Sequence, residues 1–366
     1  MPEQSELLPP ALSVAEARAI VADLFRPRPS VYWADFSLTI GAGHVCFFVV
    51  WLLPRLLPGQ PWLWLPLAAL PFAASCLAYY RAAMFIHELT HLRPGSFRTF
   101  RLAWNLLCGV PFLVPSFVYD HHREHHRRGL YGTRRDGEYL PPGGRSPGHF
   151  LLYLVRAVAV PPLAVVRFLV LTPLSWASPS LRRWVLRHAS SVVVDVAYDR
   201  TPPTGAALRE VCLLELLCLL WCVGVVAVPL LVLGRLPWPF LIQAYLTGVG
   251  SLLLSALRTL AEHRWGSAGG ELTFQEQILD SNNFPHRRLL GELWGPVGLR
   301  YHALHHLFPA LPYHALAEAH RRLMERLPAD SPYRLTERDN LLGALWDVWR
   351  LERQAAGRAP AVRAPR

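Results

Sequence analysis

The amino-acid sequence predicts an all-α integral membrane protein: four transmembrane helices in two hairpins, with a cytoplasmic helical cap holding a His-rich site. Three observations carry this reading. Four segments, 36–53, 62–85, 211–233 and 238–260, are apolar over the roughly 20 residues a helix needs to cross a bilayer. The 37 basic residues are all arginine, and only Arg55 and Arg235 lie in the short turns inside the two pairs. Four groups of histidine sit at or beyond the opposite ends of these segments.

Taken in order, Ser13-Val14-Ala15-Glu16 has the form of a capping box and starts an amphipathic helix expected to reach Leu24. The first two spans are joined by 54–61, the last two by 234–237, with Trp62, Trp64 and Trp238 as interfacial anchors. Cytoplasmic loops collect arginine, so both termini and the long middle region are expected in the cytoplasm, at a bacterial inner membrane. Two further apolar stretches, 104–118 and 150–176, are interrupted by Pro111 and Pro115 and by Pro161 and Pro162. Proline removes a helical donor and clashes with the preceding turn. Both stretches are therefore expected to lie in or dip into the inner interface, not to cross. Helical patterning returns at 316–327 and 340–353. One membrane domain covers 1–354, and 355–366 is expected to be a disordered basic tail. Arg81, Glu215 and Arg258 lie inside spans near their inner ends. A Glu215–Arg258 salt bridge between adjacent antiparallel helices is expected, the alternative being that each snorkels to water.

Composition excludes several classes. With 52% hydrophobic and 17% charged residues, the chain is not disordered. The net charge of +11 is spread among apolar runs without a basic–aromatic motif, which argues against nucleic acid. Cys46, Cys76, Cys108, Cys212, Cys218 and Cys222 lie in apolar stretches without a CxxC pair. They read as small buried hydrophobes in a reducing compartment. The first residues are polar and acidic, unlike a secretory signal.

The histidines carry the chemistry. His87-Glu88-Leu89-Thr90-His91 ends the second span, and Asp120-His121-His122-Arg123-Glu124-His125-His126 follows. His263 ends the fourth span, and Tyr301-His302-Ala303-Leu304-His305-His306 comes later. Residues three and four apart share a helix face, so the members of each group converge. All four groups fall on the cytoplasmic side of the topology above. Imidazole suits iron, copper, zinc and nickel.

The pattern resembles the membrane fatty acid desaturase family, with its boxes HxxxH, HxxHH and HxxHH, and the likeness runs from the first span to about His320. Leu307-Phe308-Pro309-Ala310-Leu311-Pro312-Tyr313-His314 is similar to the stretch that follows the family's third box. The resemblance implies two non-haem irons, O2 as co-substrate, and a double bond introduced into a fatty acyl chain. It implies nine ligands that are also the catalytic set: His87, His91, His122, His125, His126, His263, His302, His305 and His306. Electrons would come from a separate donor, ferredoxin-like or cytochrome b5-like, because no HPGG-type haem segment and no dinucleotide motif is present. The partners implied are a fatty acyl lipid or acyl thioester, the donor and membrane lipid.

Ligating imidazoles need acceptors behind them, and Glu88, Asp120, Glu124, Asp136 and Glu262 are candidates, each with a solvated ion pair as its alternative. His121, Asn282, Asn283 and His286 are weaker candidates near the boxes. His44 reads as a core or tunnel-lining residue, His149 and His188 as interfacial, and His314 and His320 as structural. Three other functions compete. A zinc protease would use His87–His91 with Glu88 as base, but leaves the second and third boxes unexplained. A di-iron hydroxylase or ketolase of a lipid, alkane or carotenoid shares the boxes. A metal transporter needs polar groups near the membrane midplane, where His44 is the main one.

Overall fold

The computed structural model describes residues 12–93, 95–140 and 147–358. It is helical throughout; among the described residues there is no strand, only three isolated β-bridges. Five helices are long and apolar enough to cross a membrane: α1 Pro29–Leu56, α2 Pro61–His91, α3 Gly148–Ala177, α4 Gly205–Leu233 and α5 Trp238–Glu262. Their outward faces leave large apolar side chains uncovered, with Leu70 80% and Leu231 85% exposed. No soluble surface tolerates such a belt, whereas lipid does. Of the two expected hairpins, α1 and α2 pack along one another, whereas α4 and α5, joined by the short turn at 234–237, do not: among the described residues α5 lies against α2 and α3, and α4 against the later part of α3.

Helix α3 departs from expectation. Pro161 and Pro162 do not end it; the chain stays helical for 30 residues, with a wider π-type turn at Val166–Leu171. Pro162 cannot donate to the Val158 carbonyl, and the Tyr245 hydroxyl of α5 donates to it instead, at 3.2 Å. A neighbouring helix thus re-satisfies a group freed by proline, as happens in membrane interiors. Pro161 lies against Gly248 of α5, where a side chain would meet its ring. The other proline-broken stretch is helical over Arg98–Gly109 and again, as a tighter 3-10 turn, over Ser116–Tyr119, with Trp104 fully buried and its indole donating to Ala82 O at 2.8 Å.

The expected Glu215–Arg258 bridge does not form. Glu215, fully buried, pairs with Arg167 of α3 and with Arg182 at 2.7 Å. Arg258 turns along its own helix to Glu262, 2.6 Å away. The reason is tertiary: α3 and the helix Pro179–His188 bring their arginines to the face of α4 that carries Glu215.

Smaller elements lock the cap. Ser13 caps its helix through the Glu16 N–H, but that helix stops at Ile20 and a tighter turn covers Ala22–Phe25. Tyr32, Phe36, Phe85, Phe100 and Tyr313 form one buried aromatic cluster joining α1 and α2 to the cap. Helix Leu316–Arg326 ends as expected, within a residue. The last helix, Leu341–Arg358, runs past residue 355, where a disordered tail was expected to begin. Residues 359–366 of that tail lie outside the described residues.

Candidate metal centre

Four chain segments build the site. His87 and His91 sit one turn apart at the C-terminal end of α2. His122 and His125 lie in a short helix that His126 closes. His263 follows α5 directly, and helix His302–Leu307 carries the third box. The β-bridges His263–Ser281 and Asn283–Tyr301 fasten the last two segments together. Asn283 completes the clamp: its side-chain oxygen accepts from Leu304 N at 3.1 Å, and its amide donates to Thr336 Oγ1 at 2.8 Å.

All nine expected histidines come together, in two groups. His87, His91, His122, His126 and His305 form one; His125, His263, His302 and His306 form the other. Within each group, one ring nitrogen per residue lies within 4.8 Å of all the others. Neither the second nor the third box belongs to one group: each divides its histidines between both.

The rings are arranged as ligands, not as a hydrogen-bond network. His122 Nε2 is 3.0 Å from His126 Nε2, which is 3.0 Å from His305 Nε2. In the other group His302 Nε2 is 3.0 Å from His263 Nε2 and 3.1 Å from His306 Nε2. The opposite nitrogens fix which of these carry lone pairs. His122 Nδ1 donates to Glu138 at 2.8 Å, and His125 Nδ1 to Asp136 at 2.8 Å. His263 Nδ1 faces the Tyr131 oxygen at 2.8 Å, whose hydroxyl donates to Asp280 at 2.7 Å. A neutral imidazole has one donor nitrogen, so His122, His125 and His263 turn lone pairs into the clusters. Both nitrogens of buried His87 and the Nε2 of His91 have no hydrogen-bond partner among the described residues. Buried imidazole nitrogens gathered within 4.8 Å of one another, some of them without a hydrogen-bond partner, suit a cation held between them.

Electrostatics agree. Burial holds the imidazolium forms of His122, His126, His263, His302, His305 and His306 well below the usual histidine range, so these rings are neutral and able to ligate. At His125 burial also opposes the charge, but the Asp136 carboxylate outweighs it and raises the value. Burial pushes the Glu138 carboxyl up to about 7. Imidazoles bound to two metal ions would leave the ions' charge to be offset by acids behind the rings. Asp136, Glu138 and, through Tyr131, Asp280 stand there, with Glu262 Oε1 3.5 Å from His302 Nδ1.

Of the five acids expected behind the ligands, Asp136 accepts from one, while Glu262 lies 3.5 Å from His302 Nδ1 without a hydrogen bond and pairs with Arg258. Glu88 instead accepts from Tyr32, Glu124 from Tyr198 at 2.8 Å, and Asp120 lies 3.9 Å from Arg200. Glu138, Asp280, Tyr131 and Gln277, the last 3.1 Å from His306 Nδ1, were missed. Glu138 carried a signal, an acid two residues beyond Asp136 just after the second box. His121 is buried outside both groups, 3.6 Å from Glu138. Asn282 and Asn283 hold backbone and side chains of the cap, and His286 is exposed. His44 bonds Ile40 O and packs against Tyr79; His314 accepts from Arg28 N; His320 bonds Tyr333 and Glu337. His188 stacks near Trp184, exposed, and His149 is half-buried.

A membrane-type helical bundle whose buried cap carries nine histidines in two ligand groups defines a class. The fatty acid desaturase family model matches residues 60–337, and the chain belongs to that family of di-iron oxidoreductases. The chain is similar to a ceramide hydroxylase of Caulobacter vibrioides (strain NA1000 / CB15N). The two are 39% identical over 344 residues, which covers 93% of each chain.

Proposed function

We propose that this protein is a membrane-bound, O2-dependent hydroxylase of a ceramide-type lipid. The observation that carries the substrate and the reaction is the end-to-end similarity to a ceramide hydroxylase. In the balanced reaction, a lipid C–H, O2, two electrons and two protons give C–OH and water. His87, His91, His122, His126 and His305 would hold one iron, and His125, His263, His302 and His306 the other. The two irons, when bound, supply the oxygen activation that an unactivated C–H bond requires. The chain's own residues do the rest. Burial keeps His122, His126, His263, His302, His305 and His306 neutral, and the acids behind the rings orient them and would offset the metal charge.

Desaturation is the second reading, implied by resemblance to the family whose model matches the chain. There, two adjacent C–H bonds, O2, two electrons and two protons give C=C and two waters. Both reactions begin by removing hydrogen, and the boxes do not distinguish them. The purified protein, reconstituted with iron, a ceramide, O2 and a reducing system, separates them by mass spectrometry. Hydroxylation adds one oxygen atom; desaturation removes two hydrogens, and that product would overturn the first reading. The distribution of arginine supports cytoplasmic His boxes and termini, at a bacterial inner membrane, with electrons from a separate ferredoxin-like or cytochrome b5-like donor.

A further inference from the structure

The short helix Arg288–Trp294, between His263 and the third box, turns its apolar side outward. Leu289, Leu290 and Leu293 are 84, 57 and 49% exposed. At about 100° per residue, the three fall within about 100° of arc. Single exposed leucines are ordinary on a protein surface; three on one side of so short a helix form a patch that calls for a partner.

The helix cannot roll to hide that side. Arg300, fully buried, donates to Phe284 O and Arg288 O at 2.9 Å, to Pro285 O at 2.6 Å and to His286 O at 3.2 Å. Gly291 sits on its guanidinium, where a Cβ would come within 2.9 Å. The Trp294 ring packs edge-on against Phe284, and its carbonyl accepts from the Tyr80 hydroxyl at 2.7 Å. Glu292 accepts from Arg81 at 3.2 Å. The last two contacts also set depth. Tyr80 and Arg81 belong to the apolar run 62–85, about 10 Å along α2 from His87. The helix therefore hangs beside the spans α2 and α5, not beyond their ends.

We propose that the bilayer covers this side. Helix Arg288–Trp294 lies in the leaflet nearest the histidines, with Leu289, Leu290 and Leu293 among the acyl chains. The patch continues the lipid-facing belt of the spans on which the helix is moored. Arg287 and Arg288, both exposed, stand at its start, where long basic side chains reach headgroup phosphates. Arg300 lies two residues before His302, so the seat holds the third box at a fixed height above the lipid. None of this depends on which reaction the centre performs.

The test places a nitroxide-bearing ketone residue, which spares the six cysteines, at Leu289 or Leu293 of the full chain in phosphatidylcholine nanodiscs. Leu231, on the lipid side of α4, and Glu325, exposed on the cap, are the references. Oxygen concentrates among acyl chains and a nickel chelate stays in water. The oxygen-to-nickel collision ratio at Leu289 and Leu293 should match that at Leu231 within about twofold and exceed that at Glu325 about tenfold. A ratio like that of Glu325 would overturn the proposal. So would poor access to both reagents, which would assign the patch to another protein surface or a second copy. The unsubstituted chain gives a second reading. Phosphatidylcholine carrying a diazirine on its acyl chain should label the tryptic peptide 289–300 on its leucines, and an unlabelled peptide beside labelled spans would equally refute the seat.

Discussion

Replacing Asp136 by Asn should strip the metal centre of affinity without removing a ligand. Asp136 is fully enclosed and accepts from three donors, one of them shared between both its oxygens. Oδ1 and Oδ2 lie 3.0 and 2.8 Å from His125 Nδ1, while Glu138 N donates to Oδ1 and Gly132 N to Oδ2, each at 3.0 Å. In Asn one oxygen becomes an NH2, and in either orientation that NH2 faces a backbone N–H. One donor is therefore orphaned, at about 1–3 kcal/mol. The negative charge behind His125 is lost as well. Removing such a partner typically lowers metal affinity by about 10–100-fold, or about 1.4–2.7 kcal/mol. Competition with a calibrated chelator reads the iron affinity directly, and thermal unfolding of the metal-free protein reads the orphaned donor separately. Tyr198→Phe, which removes a hydrogen bond to Glu124 outside the ligand groups, is the control. Iron affinity within about twofold of wild type would refute the claim that Asp136 sets the basicity of His125.

Three further outcomes are expected. Glu215→Gln leaves Arg167 and Arg182 facing a neutral group in a buried site, and should cost about 3–5 kcal/mol of stability in thermal or denaturant unfolding; the reciprocal exchange of Glu215 with Arg258 should rescue nothing. Gly43→Ala places a methyl 2.5 Å from the Tyr79 ring and should cost about 1–3 kcal/mol by overpacking, read as a lower midpoint in detergent. The metal-free protein should lose stability as pH falls below about 6.5, since unfolded histidines there bind protons that burial denies to His302, His305 and His306 in the fold. An unfolding midpoint flat between pH 7 and 5 would contradict that burial, and bound iron should raise the midpoint at every pH in that range.

Eight of the nine histidines were legible because their signal is local: spacings of three and four place the members of each box on one face before any tertiary contact is known, whereas His263 stands alone and was legible only through the family resemblance. The four long apolar helices were legible for the same reason, as runs of apolar residues, but not which of them pack together. What the sequence hid is long-range. Asp280 reaches His263 through Tyr131, which lies 132 positions before that histidine, and Glu215 takes its partners from α3 and from the helix at 179–188. The local rule for proline also failed at Pro161 and Pro162, because it knows nothing of a tyrosine hydroxyl on α5 that takes over the freed carbonyl. Glu88 shows the converse. Its place in H-E-x-x-H suggests a catalytic base, yet the α-helix turns it away from the clusters toward Tyr32 and the Tyr313 N–H.

The division of each HxxHH box between the two ligand groups has a mechanical result. His125 and His126, like His305 and His306, are neighbours in sequence that serve different groups. One short helical segment thus acts as a rigid tie bar, and the rise per residue of the α-helix becomes the ruler that spaces the two ions. Capturing the first ion freezes the segments that must receive the second. Loading should therefore be cooperative, with half-filled protein scarce at any iron supply, and a one-residue insertion in either box should empty both positions together.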